Sequence, residues 1–383
     1  MDFAKYNPLK AIIALFSIIA LLPSALSVSD AVIAENIALQ EEHMEYLKNE
    51  YYKDYTPVDE SQFAGFDISK AVADGVKYNE VAFVGTHNSY QLASTEEYAK
   101  IYDALNTATF GIVDDSKTDF NMEFLTRQLE AGIRSLEIDI ETVVKNGETS
   151  FVVSHVPLID ETSSCYDFEK AIEEIKMWSD MNPGHLPVTI IIEPKKNVIP
   201  VKNMKNFSIG YAVELDALLR EVLGDTLLTP AEMMGEYESF REMRENDGWL
   251  PLGDTMGKVL VLLHDTTVTS KYIALDESIK TQAMFPMLRY SDRDKSYASF
   301  IIDNDPADVL KHKAEAIDRC RLIVRTRADS YPSYSDKRSE NAGLCGAQIV
   351  STDYPVRTDT AGEHTFTFNG GYLIKLTQEA VSY

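Results

Sequence analysis

The sequence is poor in cysteine. Only three of its 383 residues are cysteines, namely Cys165, Cys320 and Cys345. Three thiols allow at most one intramolecular disulfide and leave one thiol over, which excludes a disulfide-stabilised scaffold. A hydrophobic core must therefore hold the fold. If one bridge forms, we expect it to join Cys320 and Cys345.

Basic residues are also scarce. Thirty-six lysines and arginines stand against 61 acidic residues, and the net charge is −25. Nucleic acids and anionic membranes select basic surfaces, so this balance argues against nucleic acid and against generic membrane adhesion. An excess of carboxylates is compatible with the binding of divalent cations. No obligate protein partner is indicated.

The N-terminus carries an apolar run from Ala11 to Leu26, preceded by two lysines and followed by small residues. This order is typical of a secretory signal peptide. The run is about 16 residues long and contains Pro23, whereas a membrane span needs roughly 20 residues, which disfavours the alternative of an uncleaved anchor. We expect residues 1–27 to be a signal peptide of a secreted, extracellular protein. Residues 28–75 are expected to form a helical and loop extension outside the main domain.

Further along the chain, short β-rich segments alternate with helical patterns. Several of the β-rich segments are continuously apolar, as in strands that are covered on both faces. Eight such strands predict an α/β fold, a (β/α)8 TIM-type barrel, over residues 76–383. No glycine-rich dinucleotide loop follows the first strand, which disfavours an open doubly wound sheet. The predicted strands are 81–87, 135–141, 151–155, 188–194, 258–265, 299–304, 321–329 and 347–354.

One connection departs from the ideal barrel. The second and third predicted strands are separated by a short stretch whose KNGE sequence is a tight-turn signal. No helix fits there, so the barrel is predicted to be irregular between strands 2 and 3. Helices are predicted before the second, fourth, fifth and seventh strands.

Polar residues stand at the carboxyl ends of the predicted strands, where such barrels carry their chemistry. Glu137 and Asp139 are two positions apart on one strand, so they share a face. Any one of these polar residues alone is compatible with a solvated position at the rim of the barrel. Three carboxylates and an amide brought together, however, repel one another and raise the free energy of the fold unless a cation neutralises the charge. Oxygen ligands predict Ca²⁺ or Mg²⁺ rather than zinc. The predicted metal ligands are Asn88, Glu137, Asp139 and Glu193.

Two histidines, His87 and His155, end the first and third predicted strands and would flank this cation. Imidazoles exchange protons near neutral pH, which predicts acid–base chemistry. A divalent ion, two imidazoles and nearby arginines suit phosphoryl transfer, because the ion and the arginines hold anionic oxygens while the histidines move protons.

Seven motifs occur in order between about residues 75 and 356: GTHNSY, LEAGIRSLEIDIE, SHVPLID with SSC, MWSDMNPGHLPVTIIIEPK, GWLPLGDTMGKVLVLL, RTRAD and GAQIVSTDYP. Together they resemble the secreted calcium-dependent phosphoinositide-specific phospholipase C family of microbes, which is related to the catalytic barrel of the animal signalling enzymes. Any one motif alone would be weak, whereas the ordered set is specific.

The resemblance implies cleavage of the phosphodiester of phosphatidylinositol to diacylglycerol and an inositol phosphate, through a 1,2-cyclic intermediate. It implies Ca²⁺ as the cofactor and a phosphoinositide lipid at a membrane or micelle surface as the substrate. His87 and His155 match the catalytic histidines of the family, and the four predicted ligands match its calcium ligands. The residues implied to hold phosphate or inositol groups are Lys195, Arg325 and Arg327.

The sequence also departs from the animal enzymes. The fifth predicted strand, KVLVLLHD, lacks the lysines with which those enzymes grip ring phosphates, which favours plain phosphatidylinositol or a singly charged relative. No recruitment module is recognisable, so apolar residues of strand-end loops, such as those in 272–290, are expected to reach the membrane. Core packing is the alternative for that segment.

Two rival functions stay open. A glycerophosphodiester phosphodiesterase places a similar set of residues at the top of a metal-bearing barrel, but that family normally begins its barrel with a His-Arg-Gly-like segment in place of GTHNSY. A non-catalytic phosphoinositide-binding protein is expected to lack a catalytic position, whereas both histidines and all four ligands are present here.

Overall fold

The structure of the chain is a computed structural model. It describes residues 8–108, 120–158, 160–196, 201–264, 267–355 and 364–377. Within these ranges, no helix combines the length and the apolar character that a membrane crossing requires.

Eight parallel strands close into a barrel, which confirms the predicted (β/α)8 fold. In sheet order they are β1 (Val81–Thr86), β10 (Ile349–Thr352), β9 (Ile323–Arg327), β8 (Phe300–Ile302), β7 (Phe285–Arg289), β6 (Val259–Leu263), β4 (Val188–Pro194) and β2 (Ser135–Lys145). Three further strands pair antiparallel outside the parallel barrel, namely β3 (Glu148–Val153) and β5 (Met204–Lys205) on β2, and β11 (Ile374–Leu376) on β1.

The barrel closes where β1 meets β2, with Gly85 opposite Ser135. A Cβ atom at Gly85 would lie 2.6 Å from the Cβ of Ser135 and 2.7 Å from its carbonyl oxygen. Only glycine therefore allows the two strands to approach closely enough to close the barrel.

One strand of the barrel differs from the predicted set. Residues 151–153 of the segment predicted as the third barrel strand, 151–155, belong to β3, which folds back on β2 through a turn at Asn146 and Gly147, both with positive φ. That turn explains the predicted irregularity. The missing barrel strand is β7, which lies in the segment expected to form a membrane-facing loop. Its side chains pack in the core, with Phe285 and Met287 fully buried. Its five residues include Pro286, which weakened the strand signal.

Helices surround the barrel, and those predicted before the second, fourth, fifth and seventh strands are all present. The helices are α1 (Pro8–Asn49), α2 (Ile68–Ala73), α3 (Glu96–Ala108), α4 (Leu125–Glu130), α5 (Phe168–Met181), α6 (Ile209–Leu223), α7 (Pro230–Met234), α8 (Phe240–Glu245), α9 (Leu252–Thr255), α10 (Thr269–Ile273), α11 (Pro306–Lys313) and α12 (Asp336–Leu344).

The helix α5 has a capped N-terminus and one buried apolar face. Asp167 caps it by accepting a hydrogen bond from the backbone N–H of Lys170. Its apolar residues recur at helical spacing, and Ile172, Ile175 and Trp178 are fully buried against the barrel.

The expected disulfide between Cys320 and Cys345 is wrong. All three cysteines are free and buried. The Cys345 thiol instead donates a hydrogen bond to the carbonyl of Ala342 at the end of α12, at 3.3 Å. The cysteines are therefore core residues that pack as small hydrophobic groups.

The buried His185 makes stability depend on pH. Its Nδ1 donates to the Leu186 carbonyl and its Nε2 accepts from the Ser179 hydroxyl, each at 2.7 Å. Burial lowers the pKa of His185 from 6.5 to about 4. As pH falls, the imidazole of His185 is therefore protonated in the unfolded chain before it is protonated in the folded protein. The stabilising contribution of the neutral, buried imidazole is complete above about pH 6.5 and decreases as the pH falls to about 4.

We expect His185 to account for a loss of roughly 3 kcal/mol in the free energy of unfolding between pH 7 and pH 4. In His185→Gln this part of the pH dependence should disappear, because glutamine does not titrate. Urea unfolding of both proteins at several pH values measures it. His364→Gln, at an exposed histidine, is the control. A pH profile that His185→Gln leaves unchanged would contradict the assignment.

Candidate active site

Three carboxylates meet at the carboxyl ends of β2 and β4. Glu137 and Asp139 lie on β2, and the register of the sheet places Asp139 opposite Glu193 of β4. Each of the three offers a carboxylate oxygen, and these oxygens all lie within 4.8 Å of one another. Glu137 and Asp139 are buried and Glu193 is partly exposed, so the group opens toward solvent on one side.

Asp139 has an unused oxygen at the centre of this group. Its Oδ2 accepts a hydrogen bond from the Tyr90 hydroxyl at 2.7 Å and lies 2.8 Å from Nζ of Lys195. Its Oδ1 is buried and has no hydrogen-bond partner among the described residues. Burial raises the pKa of Asp139, against the opposing effect of Lys195. A buried carboxylate oxygen without a partner, facing two other carboxylates, fits a hard cation such as Ca²⁺.

Lys195 is the cation that pairs with Asp139 and Glu193. Its Nζ lies 2.8 Å from Asp139 Oδ2 and 3.0 Å from Glu193 Oε1. Burial alone would raise the pKa of Glu193, but Lys195 and His264 lower it. His264 follows β6, and its effect on Glu193 brings a further imidazole near this group.

Glu137 is paired with Arg325 of β9. Arg325 Nη2 donates to Glu137 Oε2, and both side chains are almost fully buried. Burial would raise the pKa of Glu137, but Arg325 and His87 outweigh it and lower the pKa to about 2. Arg325 also donates to Asn304 and, at 3.1 Å, to the hydroxyl of Ser351. Its evident role is to hold Glu137 ionised, and its predicted contact with substrate stays a prediction.

His87 follows β1 and is oriented by an aspartate. Its Nδ1 lies 2.7 Å from Oδ1 of Asp353, and its Nε2 lies 3.9 Å from Oε1 of Glu137. Asp353 is itself held by Arg327 Nη2 at 2.8 Å and by the backbone N–H of Tyr331 at 2.7 Å. Burial opposes ionisation of Asp353, but His87 and Arg327 lower its pKa to about 2. The ionised carboxylate keeps the proton of His87 on Nδ1 and leaves Nε2 toward the carboxylates.

Asn88 lies in the turn that follows β1, directly after His87. It is buried and has a positive φ of 47°, a conformation that asparagine tolerates better than most residues. The next residue, Ser89, ties this turn to β2, because its N–H donates to the carbonyl of Glu137 at 2.9 Å and its hydroxyl accepts from the N–H of Glu137 at 2.8 Å.

His155 belongs to the loop after β3, not to the end of a barrel strand as predicted. Its Nδ1 lies 2.8 Å from Oδ2 of Asp160, and its side chain is 35% exposed. Burial would lower the pKa of His155, but Asp160 and Asp139 raise it. These two carboxylates therefore stabilise the protonated imidazole and hold the pKa of His155 above its usual value.

Sequence reasoning missed the aspartates that orient the two histidines. Neither Asp353, near the end of the last predicted strand, nor Asp160 is among the predicted site residues. Asp160 follows His155 by five positions, a local signal that was available. Asp353 lies 266 positions from His87, and only closure of the barrel brings them together.

The sequence profile of the family described as "Phosphoinositide phospholipase C, Ca2+-dependent" matches residues 76–151 and 145–378. The chain belongs to this family. It is therefore a phosphoric diester hydrolase, a phosphoinositide-specific phospholipase C that depends on Ca²⁺. Among curated proteins, none matches the sequence.

Solved structures share the fold. The calcium-dependent phosphoinositol-specific phospholipase C of a Pseudomonas species, described as a myoinositol complex, is 18% identical with a TM-score of 0.54, over 84% of this chain and 100% of that one. A second crystal form is 19% identical with a TM-score of 0.53, over 78% and 95%. The Ca²⁺-dependent enzyme of Streptomyces antibioticus is 18% identical with a TM-score of 0.51, over 72% and 94%. At these identities the likeness supports a common barrel fold.

Proposed function

We propose that this phospholipase C cleaves phosphatidylinositol into diacylglycerol and an inositol phosphate, through a 1,2-cyclic intermediate. The observation that carries the proposal is the arrangement of two histidine–aspartate pairs around three clustered carboxylates. Such a site has one oriented imidazole beside the cation ligands and a second imidazole that favours its protonated form. These are the parts that an attack by a neighbouring hydroxyl on a phosphodiester requires.

Asn88, Glu137, Asp139 and Glu193 would hold the Ca²⁺ ion. When bound, the ion supplies charge that stabilises the anionic phosphoryl oxygens and lowers the pKa of the inositol 2-hydroxyl. The proton of that hydroxyl passes to a carboxylate of the metal site, Glu137 or Glu193, or to a histidine. The 2-oxygen then forms its bond to phosphorus.

The two histidines complete the first step. His87, whose Nδ1–H Asp353 holds, would donate a hydrogen bond from a protonated Nε2 and so stabilise the charge that develops on the phosphoryl oxygens. His155 gives its proton to the glyceride oxygen as the bond from phosphorus to that oxygen breaks, so diacylglycerol leaves as a neutral alcohol. Addition of water to the 1,2-cyclic phosphate then yields the inositol phosphate.

The proposed substrate is plain phosphatidylinositol or a singly charged relative. Barrel strand β6 supplies buried Leu262 and then His264 where ring phosphates would need cations. An assay of the purified protein tests the proposal. It compares phosphatidylinositol micelles with glycerophosphoinositol, each in the presence of Ca²⁺ and in the presence of a chelator. Release of diacylglycerol only with lipid and Ca²⁺ supports it, and release of glycerol phosphate from the soluble diester would favour a glycerophosphodiesterase.

Lys195→Met is expected to tighten Ca²⁺ binding by about tenfold, because the ammonium group and the ion use the same carboxylates and repel each other. The Michaelis constant for the lipid should rise if Lys195 also contacts substrate. Isothermal titration with CaCl₂ measures the first effect without turnover. Lys196→Met, at the exposed neighbouring residue, is the matched control. Weaker or unchanged Ca²⁺ binding in Lys195→Met would contradict the competition.

We also propose that the enzyme is secreted after removal of residues 1–27 and that it works at a membrane surface. The division into a signal peptide, an extension over 28–75 and a barrel over 76–383 rests on the sequence pattern. N-terminal sequencing of protein recovered from culture medium tests it. A mature N-terminus near Val28 supports cleavage, and intact protein retained with the cells contradicts it.

A further inference from the structure

The N-terminal helix α1 precedes the part of the chain that the family profile matches, which begins at residue 76. It nevertheless packs on the barrel. Residues four apart or nearly so, Val32, Asn36, Gln40 and His43, form a buried stripe along one side of the helix. Two members of this stripe are amides, which is unusual for a helix face whose only task is to bury apolar surface.

Both amides bind the backbone of the segment that follows His155. Asn36 Nδ2 donates to the carbonyl of Glu161 at 2.6 Å, and its Oδ1 accepts from the N–H of Ser163 at 3.3 Å. Gln40 Nε2 donates to the carbonyl of Asp167 at 2.9 Å, and its Oε1 accepts from the N–H of the same residue at 2.7 Å. The two side chains thus supply the hydrogen bonds that a neighbouring strand would supply.

This segment is connected directly to the partner of His155. Asp160, which holds the imidazole, exchanges two backbone hydrogen bonds with Val156, at 2.8 and 3.0 Å. At the tip of this turn, Leu158 adopts a positive φ of 68° and is 4% exposed. It is buried in a small apolar cluster with Val32 of α1, which lies after the proposed cleavage point, and with Tyr98 and Ile101 of α3. The loop that carries His155 is therefore held at its tip and along the segment after Asp160.

We propose that Asn36 and Gln40 are positioning residues for His155: through residues 160–167 they hold the Asp160–His155 pair where it can protonate the leaving oxygen. This inference rests on the proposed function, in which His155 is the general acid. A general acid must lie within hydrogen-bond reach of the oxygen that it protonates, so a small shift of the loop slows that step. A loss of backbone partners at the buried residues 161 and 163 and at the partly buried residue 167 would produce such a shift.

The leaving group distinguishes this role from a purely structural one. Diacylglycerol is a poor leaving group and needs a proton from His155, whereas a 4-nitrophenolate leaves without one. A misplaced general acid therefore slows cleavage of phosphatidylinositol but barely slows cleavage of the 4-nitrophenyl phosphodiester of inositol. A general loss of folded protein slows both equally.

The experiment compares Asn36→Leu and Gln40→Leu in the full chain, on phosphatidylinositol micelles and on the nitrophenyl diester, at saturating Ca²⁺. Each variant is expected to lower kcat for the lipid by about tenfold or more and kcat for the nitrophenyl diester by less than about threefold. Hydrogen exchange of the peptide covering 156–167 should accelerate in both variants. The two variants are independent, so misfolding of one leaves the other as a test.

Glu35→Ala, at an exposed position of the same helix, is the control and should change neither rate. His155→Ala is the reference and should show the same preference for the nitrophenyl diester, more strongly. Suppose that His155→Ala shows that preference. The positioning role of Asn36 and Gln40 is then overturned if the leucine variants lose both activities equally, and it is also overturned if they keep full activity on the lipid. If His155→Ala itself loses both activities equally, the assignment of His155 as general acid fails, and the inference fails with it.

Discussion

His87→Ala is expected to lower the turnover of phosphatidylinositol by about three orders of magnitude while the protein stays folded. The imidazole is the group whose Nε2 approaches the metal-site carboxylates, 3.9 Å from Glu137. The fold should tolerate the change because the side chain is 19% exposed and because Asp353 keeps its bonds to Arg327 and to the backbone of Tyr331. Assays of lipid turnover at saturating Ca²⁺ measure the loss of activity, and thermal unfolding measures whether the variant stays folded.

His312→Ala, at a histidine on α11 that stacks on Tyr290, is the control for loss of an imidazole that pairs with Asp303 and not with the three carboxylates. It should retain normal turnover. Near-normal turnover in a correctly folded His87→Ala protein would count against the catalytic assignment, because the proposed first step then proceeds without the oriented imidazole.

Glu137→Gln is expected to have the second large effect, since Glu137 has two roles. It offers an oxygen to the cation site, and it is the buried counter-charge of Arg325. The substitution should weaken Ca²⁺ binding by about tenfold or more. It should also lower the free energy of unfolding by roughly 3–5 kcal/mol, because the Arg325 guanidinium remains buried without its partner. Titration calorimetry and urea unfolding in chelator measure the two effects separately.

Asp139→Asn is the matched comparison on the same strand. It should also weaken Ca²⁺ binding, but stability in chelator should fall less, because Lys195 keeps Glu193 as a carboxylate partner 3.0 Å away. An unchanged calcium titration in Glu137→Gln would remove Glu137 from the metal site. Equal stability losses in the two variants would contradict the specific pairing with Arg325.

Residues at the ends of barrel strands were predictable because a parallel barrel brings all carboxyl ends to one rim. Alternation along a strand was enough to place Glu137 and Asp139 on one face, and the parallel pairing of β2 with β4 brought Glu193 to the same point. His87 followed from its position directly after β1. None of these inferences needed the details of packing.

Features that depend on contacts between distant segments were not predictable in the same way. The segment 151–155 has the composition of a barrel strand, yet a tight turn at Asn146 and Gly147 returns it along β2. The segment with β7 has the composition of an apolar loop, yet its neighbours β6 and β8 complete its hydrogen bonds. Cysteine count alone could not exclude a bridge, whereas the structure leaves all three thiols unbonded.

The sequence by itself determined the family, the barrel and the set of oxygen donors and imidazoles, because these depend on residue type and on strand periodicity. Only the tertiary structure decided which charges neutralise one another: Arg325 with Glu137, Asp353 with His87, Asp160 with His155, and Lys195 with Asp139. Electrostatic interactions depend on distances of a few ångströms between side chains, and three of these four pairs join different segments of the chain. The tertiary structure also joined α1, which lies outside the family match, to the loop that carries His155.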